Sequence, residues 1–573
     1  MQEINLKFLS WRRKMFCRSQ SILKQPEWSN VRALYKSNGF TNEELEKPII
    51  AVINSFNTIC PGHFNLNNLV QHVREGIRVA GGTPVEFGTI GACDGMAMGH
   101  KGMRHILPTR ELIANDIEMM IEAHKLDGMV LLGSCDKIVP GMLMAAARLD
   151  IPAILVNGGP TLPGRMRKDN PYGGEHIDHS IIQQSLGSLN AGTIDWNEYL
   201  WLEDNACPTI GSCAMLGTAN TMCCLSEAMG MSLPGSAAIP AVYSQRMAVA
   251  FQSGKAIMEL VKKDITARQI ITRNSLSNAI KINSAIGGST NAVLHILAIA
   301  YEAEVSLTLE DFGAISSQVP HISPLIPGGQ YALLDFYEAG GIPAVMKELE
   351  SVLDLDEMTV TGQTVSQNIV NVVTLNKNVI RSLNNPVATN SGIAVLKGNL
   401  APEGAVTKPS AIPEEALKFT GPAVVFESEK DALEGISSNK VKAGDVIVIR
   451  NEGPKGGPGM PEMYKAMKLL VGMNLGSKVC LITDGRFSGS NNGCFVGHIC
   501  PEAAEGGPIA YVKDGDIITV DVESGMIEVV NSDFEERIKK EIEIIRNKPK
   551  GYLYVYSNIV TSASTGAVIP TRE

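Results

Sequence analysis

The chain lacks any Cys-x-x-Cys pair, any even cysteine framework and any excess of positive charge. Its eleven cysteines are scattered along 573 residues, which argues against a disulfide scaffold and for a reducing compartment. A metal cluster built from them would have to be assembled by the fold from distant segments, unlike the clusters of small electron carriers. A formal charge of −10 argues against nucleic acid or an anionic membrane as the main partner. The longest apolar stretch, Asn291 to Ala300, includes His295 and is too short to span a bilayer. No secretory hydrophobic segment precedes a cleavage site, and no internal repeat is apparent. These absences predict a soluble, cytoplasmic protein. The basic start of the chain (Lys7, Arg12, Arg13, Lys14, Arg18 and Lys24 against Glu3 and Glu27) leaves three readings open: an organellar leader, a frayed terminus, or a true start at Met15.

What the chain does have is length and apolar residues. At 573 residues it is too long for one ordinary core, so two large domains are expected. With 44% hydrophobic and 19% charged residues it is globular. Ile49–Asn54, Gly128–Gly133 and Ile151–Gly158 are short apolar runs bounded by Gly, Pro or Asn, as buried parallel strands are. The stretch from Thr109 to Lys125 has helical periodicity with Thr109 as N-cap. This alternation predicts an N-terminal parallel-sheet α/β domain over residues 31–380. After about Leu383 the strand-like runs Gly392–Leu396, Ala423–Glu427, Asp445–Arg450, Lys478–Thr483 and Ile517–Val522 are separated by Gly- and Pro-rich turns. They predict a smaller β-rich, barrel-like domain over residues 381–573.

The chemistry concentrates in a few phrases. Gly133-Ser134-Cys135-Asp136-Lys137 follows a predicted strand, so its side chains emerge where parallel α/β sheets collect ligands. Thiolate suits iron–sulfur or zinc and carboxylate suits magnesium or manganese, so one segment can serve two metals. Alone, the phrase is also compatible with a buried Cys beside a surface ion pair. Cys93-Asp94 repeats the Cys-Asp step and continues to Met98-Gly99-His100. Gly211-Ser212-Cys213 runs into a helical pattern, whose N-terminal dipole would favour a thiolate at Cys213. A small buried residue in tight packing is the plain alternative there. Gly287-Gly288-Ser289-Thr290-Asn291 opens an apolar helix as an anion site or an ordinary cap. Asn451-Glu452 heads the Gly-dense loop up to Met460, where Glu452 suits a hard metal. Thr483-Asp484-Gly485-Arg486-Phe487-Ser488-Gly489 likewise follows a strand and presents a hydroxyl and an Arg. For both loops a structural turn is the competing reading.

In this order the segments resemble the dihydroxy-acid/6-phosphogluconate dehydratase family from about Val31 to Val568. The resemblance rests on Asp94-Gly95 with Met98-Gly99-His100, Cys135-Asp136-Lys137, Gly211-Ser212-Cys213, the Glu452 loop and Gly485-Arg486-Phe487-Ser488-Gly489. The closing Thr561-Ser562-Ala563-Ser564 with Gly566-Ala567-Val568 also fits. It implies an N-terminal α/β domain, a C-terminal swivelling β-barrel domain, a homodimer, and an iron–sulfur cluster (2Fe-2S or 4Fe-4S) beside Mg2+. It further implies Cys135 and Cys213 as cluster ligands, Asp94, Asp136 and Glu452 as magnesium ligands, Lys137 as a carbamylated metal ligand, and Ser488 as the base. The chain departs from the pattern at one point. Gly62 follows Pro61 where many members carry a third cluster cysteine, and Cys60 falls two residues early. The third ligand stays open between Cys93, Cys60 and a non-cysteine group. The parallel Cys-Asp steps favour Cys93.

The resemblance implies dehydration of a 2,3-dihydroxy carboxylate of the dihydroxyisovalerate type to a 2-oxo acid, in valine and isoleucine biosynthesis. A sugar-acid dehydratase acting on an aldonate or phosphogluconate is the alternative, with Arg165, Arg167 and Lys168 as a basic loop for extra hydroxyls or a phosphate. An iron–sulfur redox or regulatory protein is a third reading. The Glu452 and Ser488 loops argue against it, because electron transfer needs neither a hard-metal ligand nor a base.

Overall fold

The computed structural model describes residues 17–166, 176–190, 192–489, 493–540, 544 and 547–572. Its first layer is a parallel four-stranded sheet in the order β2-β1-β3-β4, formed by β1 (Ile49–Asn54), β2 (Thr83–Gly88), β3 (Gly128–Leu132) and β4 (Ala153–Val156). All six residues of β1 and all five of β3 are buried. Their unbroken apolar runs reflect burial of both sheet faces, which removes any need for alternation. Helices Leu66–Val79 and Ser244–Lys263 pack on one another at a glycine crossing. A Cβ on Gly76 would lie 2.1 Å from the Phe251 carbonyl, and one on Gly254 would lie 2.2 Å from that of Val73. Only glycine permits so close a backbone approach.

A two-residue ladder of β5 (Gly164–Arg165) and β6 (His176–Ile177) follows. A helical stretch that includes Thr218–Ala228, Arg273–Ala285 and Asn291–Glu302 completes the first core.

From Ala394 the chain forms a closed eight-stranded barrel in the order β10-β11-β12-β8-β7-β14-β13-β9. Its strands are β7 (Ala394–Gly398), β8 (Ala401–Thr407), β9 (Lys418–Phe426), β10 (Val446–Ile449), β11 (Cys480–Thr483), β12 (Cys494–Cys500), β13 (Ile517–Asp521) and β14 (Met526–Val529). Strands β9, β10, β11 and β12 are parallel neighbours, so the loops leaving β10 and β11 emerge at the same end of the barrel. Closure removes the unpaired edges that an open sheet would expose. The predicted combination of a parallel α/β layer and a barrel is what the chain adopts. Among the described residues no helix is long and apolar enough to cross a membrane.

Candidate active site

The loops that leave the C-terminal edge of the parallel sheet meet the barrel around one cavity of about 260 Å³. Cys60, Pro61 and Gly62 reach it from β1, Cys93 to Met96 and Met98 from β2, Cys135 and Asp136 from β3, and Thr161 from β4. Ser212, Cys213 and Met215 come from the segment before helix Thr218–Ala228, and Ser488 and Gly489 come from the loop after β11. Seven expected or considered residues (Cys60, Cys93, Asp94, Cys135, Asp136, Cys213 and Ser488) therefore line a single cavity, although they are up to several hundred residues apart in sequence.

The thiols gather on one side. The sulfurs of Cys60, Cys93 and Cys135 lie within 4.8 Å of one another, and Cys60 Sγ is 3.5 Å from Cys135 Sγ. Cys93 is pulled well below the usual thiol range by hydrogen bonds from Cys135 and then Cys60. Cys135 is pushed well up by facing Cys60 and Cys93 and by burial. Their mutual contacts favour a thiolate at Cys93, held by the thiols of Cys135 and Cys60. Cys213 lines the same cavity outside this tight group. The helix after it begins at Thr218, and Gly217 and Thr218 line the same cavity. Burial, then Asp94 and Asp136, push the Cys213 thiol well up.

The hard ligands converge beside the thiols. Asp94 Oδ1 lies 3.9 Å from Cys135 Sγ, and Asp94, Cys135 and Asp136 form a second group within 4.8 Å. Lys137 Nζ, with its side chain fully buried, is 3.4 Å from Asp136 Oδ2 and 3.8 Å from Glu462 Oε1. Burial, then the charges of Asp136 and Glu462, hold Asp94 well above the usual carboxylate range against the pull of Lys137. Asp94, Cys135 and Asp136 thus form a group able to hold a metal ion.

Glu452 does not join them. Its Oε2 is 2.9 Å from Arg104, its Oε1 accepts the Glu429 N–H at 3.0 Å, and it borders a second cavity together with His100, Lys101, Lys465 and Glu462. Its backbone is fixed by Asp484, whose carboxylate accepts the N–H groups of Asn451 (3.1 Å), Glu452 (2.9 Å) and Ala503 (3.0 Å). The Gly-dense loop then turns back, and a bridge between Glu462 and Arg486 lays Glu462 against the Ser488 loop. Glu462 is thus the glutamate that faces Lys137. Its only sequence signal is Pro461-Glu462 directly after the Gly-dense loop that ends at Met460.

Supporting side chains complete the site. His63 Nδ1–H donates to the Ser55 carbonyl at 2.8 Å, leaving Nε2 to accept the N–H groups of Ser134 (3.3 Å) and Cys135 (3.2 Å). Arg486, expected to be exposed, is fully buried. Its Nε donates to Met460 O at 2.6 Å and its Nη1 to Asn291 Oδ1 at 2.7 Å and to Glu462. Asn291 Nδ2 donates to Phe487 O at 3.0 Å. Asn291 therefore docks the Ser488 loop and does not open an anion site. Gly489 packs so tightly on the segment before helix Thr218–Ala228 that a Cβ there would lie 3.0 Å from Gly217 Cα. His295 and His498 are both buried. Burial, then Lys137 and Arg110, hold His295 well below its usual pKa. Burial, then Arg486 and Lys137, bring His498 to about 3. Of the basic loop, Arg165 lies exposed on β5, and Arg167 and Lys168 fall outside the described residues.

Residues 47–368 match the Dihydroxy-acid/6-phosphogluconate dehydratase N-terminal family and residues 378–567 match its C-terminal counterpart. A protein named dihydroxy-acid dehydratase from Acetivibrio thermocellus is 49% identical over 559 residues, covering 97% of this chain and 100% of the relative. The protein of that name from Caldanaerobacter subterraneus is 51% identical, covering 96% of this chain and 99% of the relative. The one from Pyrococcus furiosus is 49% identical, covering 96% and 100%. With both family regions matched in order around one thiol- and carboxylate-lined cavity, the chain belongs to the dihydroxy-acid/6-phosphogluconate dehydratase family.

Proposed function

We propose that the chain is a hydro-lyase that removes water from a 2,3-dihydroxy carboxylate of the dihydroxyisovalerate type and releases the 2-oxo acid, the precursor of valine or isoleucine. The observation that carries this is the single cavity lined by thiols, carboxylates and the Ser488 hydroxyl. The reading carries with it a homodimer acting in the cytoplasm. The donor set fits the expected groups. The free thiols of Cys93, Cys135 and Cys213 suit an iron–sulfur cluster. Asp94, Asp136, Glu462 and Lys137, the last as its carbamate, suit Mg2+. The sulfurs of Cys93 and Cys60 both lie within 4.8 Å of that of Cys135, and the Cys93-Asp94 step, parallel to Cys135-Asp136, favours Cys93 over Cys60 as the third ligand.

When bound, the cluster and the magnesium ion supply Lewis acidity, the one for the leaving 3-hydroxyl and the other for the charge that builds as the C2–H bond breaks. The chain's own residues do the rest. Ser488, at the barrel end of the cavity, takes the C2 proton once its alkoxide is stabilised. Arg486 and Asn291 hold the Ser488 loop against the site. Met96, Met98, Met215 and Ala219 on the cavity wall suit a branched alkyl group. They would leave the extra hydroxyls of an aldonate unpaired, at about 1–3 kcal/mol each. A panel comparing dihydroxyisovalerate with aldonates and phosphogluconate tests the reading. Turnover of the aldonates alone would move the chain to the sugar-acid branch, and a reversible redox wave without turnover would make it an electron carrier.

A further inference from the structure

Cys213 reaches the cavity on a short irregular segment that is tied down on both sides. Upstream the bonds run between backbones. Gly211 N–H donates to Pro61 O at 3.1 Å, Ser212 N–H to Gly159 O at 3.0 Å, and Thr161 N–H to Ser212 O at 2.8 Å. Downstream one side chain takes over. Asn220, 2% exposed, donates from Nδ2 to the Cys213 carbonyl at 2.5 Å and to the Met215 carbonyl at 2.7 Å. Its Oδ1 accepts the Ser212 hydroxyl at 2.8 Å.

The backward reach follows from helix geometry. Asn220 is the third residue of helix Thr218–Ala228, and side chains on a helix lean toward its N-terminus. The cap position holds Gly217, which has no side chain to bond the loop. Two carbonyl acceptors can be met together only by an NH2 group, so asparagine suits the place where a hydroxyl offers one hydrogen and a carboxylate none. The three bonds land on Ser212, Cys213 and Met215, and each of these lines the catalytic cavity.

We propose that Asn220 is a positioning residue that fixes the direction in which the Cys213 thiol enters the cavity and so holds that sulfur in place for the iron–sulfur cluster. The inference rests on the reading of Cys213 as a cluster ligand given above. By holding Met215 as well, the same amide sets the cavity wall beside the thiol.

Asn220→Asp is the sharpest variant. It keeps the size and the acceptor for Ser212, an acidic residue in the first turn supports the helix itself, and only the NH2 group is lost. Asn220→Ala serves where the new carboxylate, facing two carbonyls, prevents folding. Hydrogen exchange of the metal-free protein should quicken by about tenfold or more at the amides from Gly211 to Gly217, as expected when buried carbonyls lose their donor, with the sheet and the barrel unchanged. The holoenzyme should show altered visible circular dichroism and electron paramagnetic resonance of the cluster, with less iron per chain. Faster exchange spread over the whole molecule would make the role one of general stability and overturn the inference. A wild-type cluster spectrum and iron content in both variants would overturn it too. Full iron and an unchanged spectrum in Cys213→Ser would overturn the ligand reading of Cys213, and this inference with it.

Discussion

The Cys135 amide is held by His63, whose Nε2 accepts its N–H at 3.2 Å. His63 belongs to the segment after β1 that also carries Cys60, and Cys135 belongs to the segment after β3. One neutral imidazole, kept uncharged mainly by burial at a pKa of about 4, thus ties together two of the loops that carry thiols. The hydrogen bond to Ser55 O fixes which nitrogen is free to accept.

Replacing His63 with Ala should leave two buried N–H groups unsatisfied, at a cost of about 1–3 kcal/mol each. The expected outcome is lower iron and sulfide per chain, together with a lower midpoint in chemical denaturation of the metal-free protein. A variant that keeps full iron content would show that the Cys135 loop needs no such support.

Cys93→Ser, Cys135→Ser and Cys213→Ser should each lose the brown chromophore and activity together, because a hydroxyl is a poor substitute for a thiolate on iron. Cys60→Ser should keep both. Iron and acid-labile sulfide analysis of the four variants decides the ligand set. Loss of the cluster in Cys60→Ser with retention in Cys93→Ser would transfer the third position to Cys60.

Glu462→Gln should keep the cluster and raise the magnesium requirement by at least about tenfold, since the amide keeps the shape and loses the charge that a hard cation needs. Glu452→Gln should leave the magnesium dependence close to wild type, because its carboxylate is already neutralised by Arg104. A magnesium titration in which the two variants behave in the opposite way would reverse this assignment.

Ser488→Ala should retain metals and substrate binding while kcat falls by about 100-fold or more, as for loss of a proton-transfer group. If exchange of the C2 proton with solvent continues at the wild-type rate, another group is the base.

The order of the chemical phrases was legible in the chain itself. Buried parallel strands must be apolar throughout, so their ends are marked by the first polar residues after each run. Cys135-Asp136, Asp94 and Ser488 could be read that way because each sits at the end of a strand or just beyond it. The barrel was legible for the same reason, from short apolar runs between glycine-rich turns. Which glutamate faces Lys137 was not. Glu452 and Glu462 flank one loop of glycines and prolines, and no local periodicity says which way such a loop turns. Only the three N–H bonds from Asn451, Glu452 and Ala503 to Asp484, and the bridge from Glu462 to Arg486, decide it. The supporting roles of His63 and Asn291 were equally hidden, because each acts on a residue tens to hundreds of positions away. Sequence by itself determined which chemistries are present and at which strand ends. Tertiary packing decided which of them share a cavity, because ligand geometry is set by contacts between loops that only the closed sheet and barrel bring together.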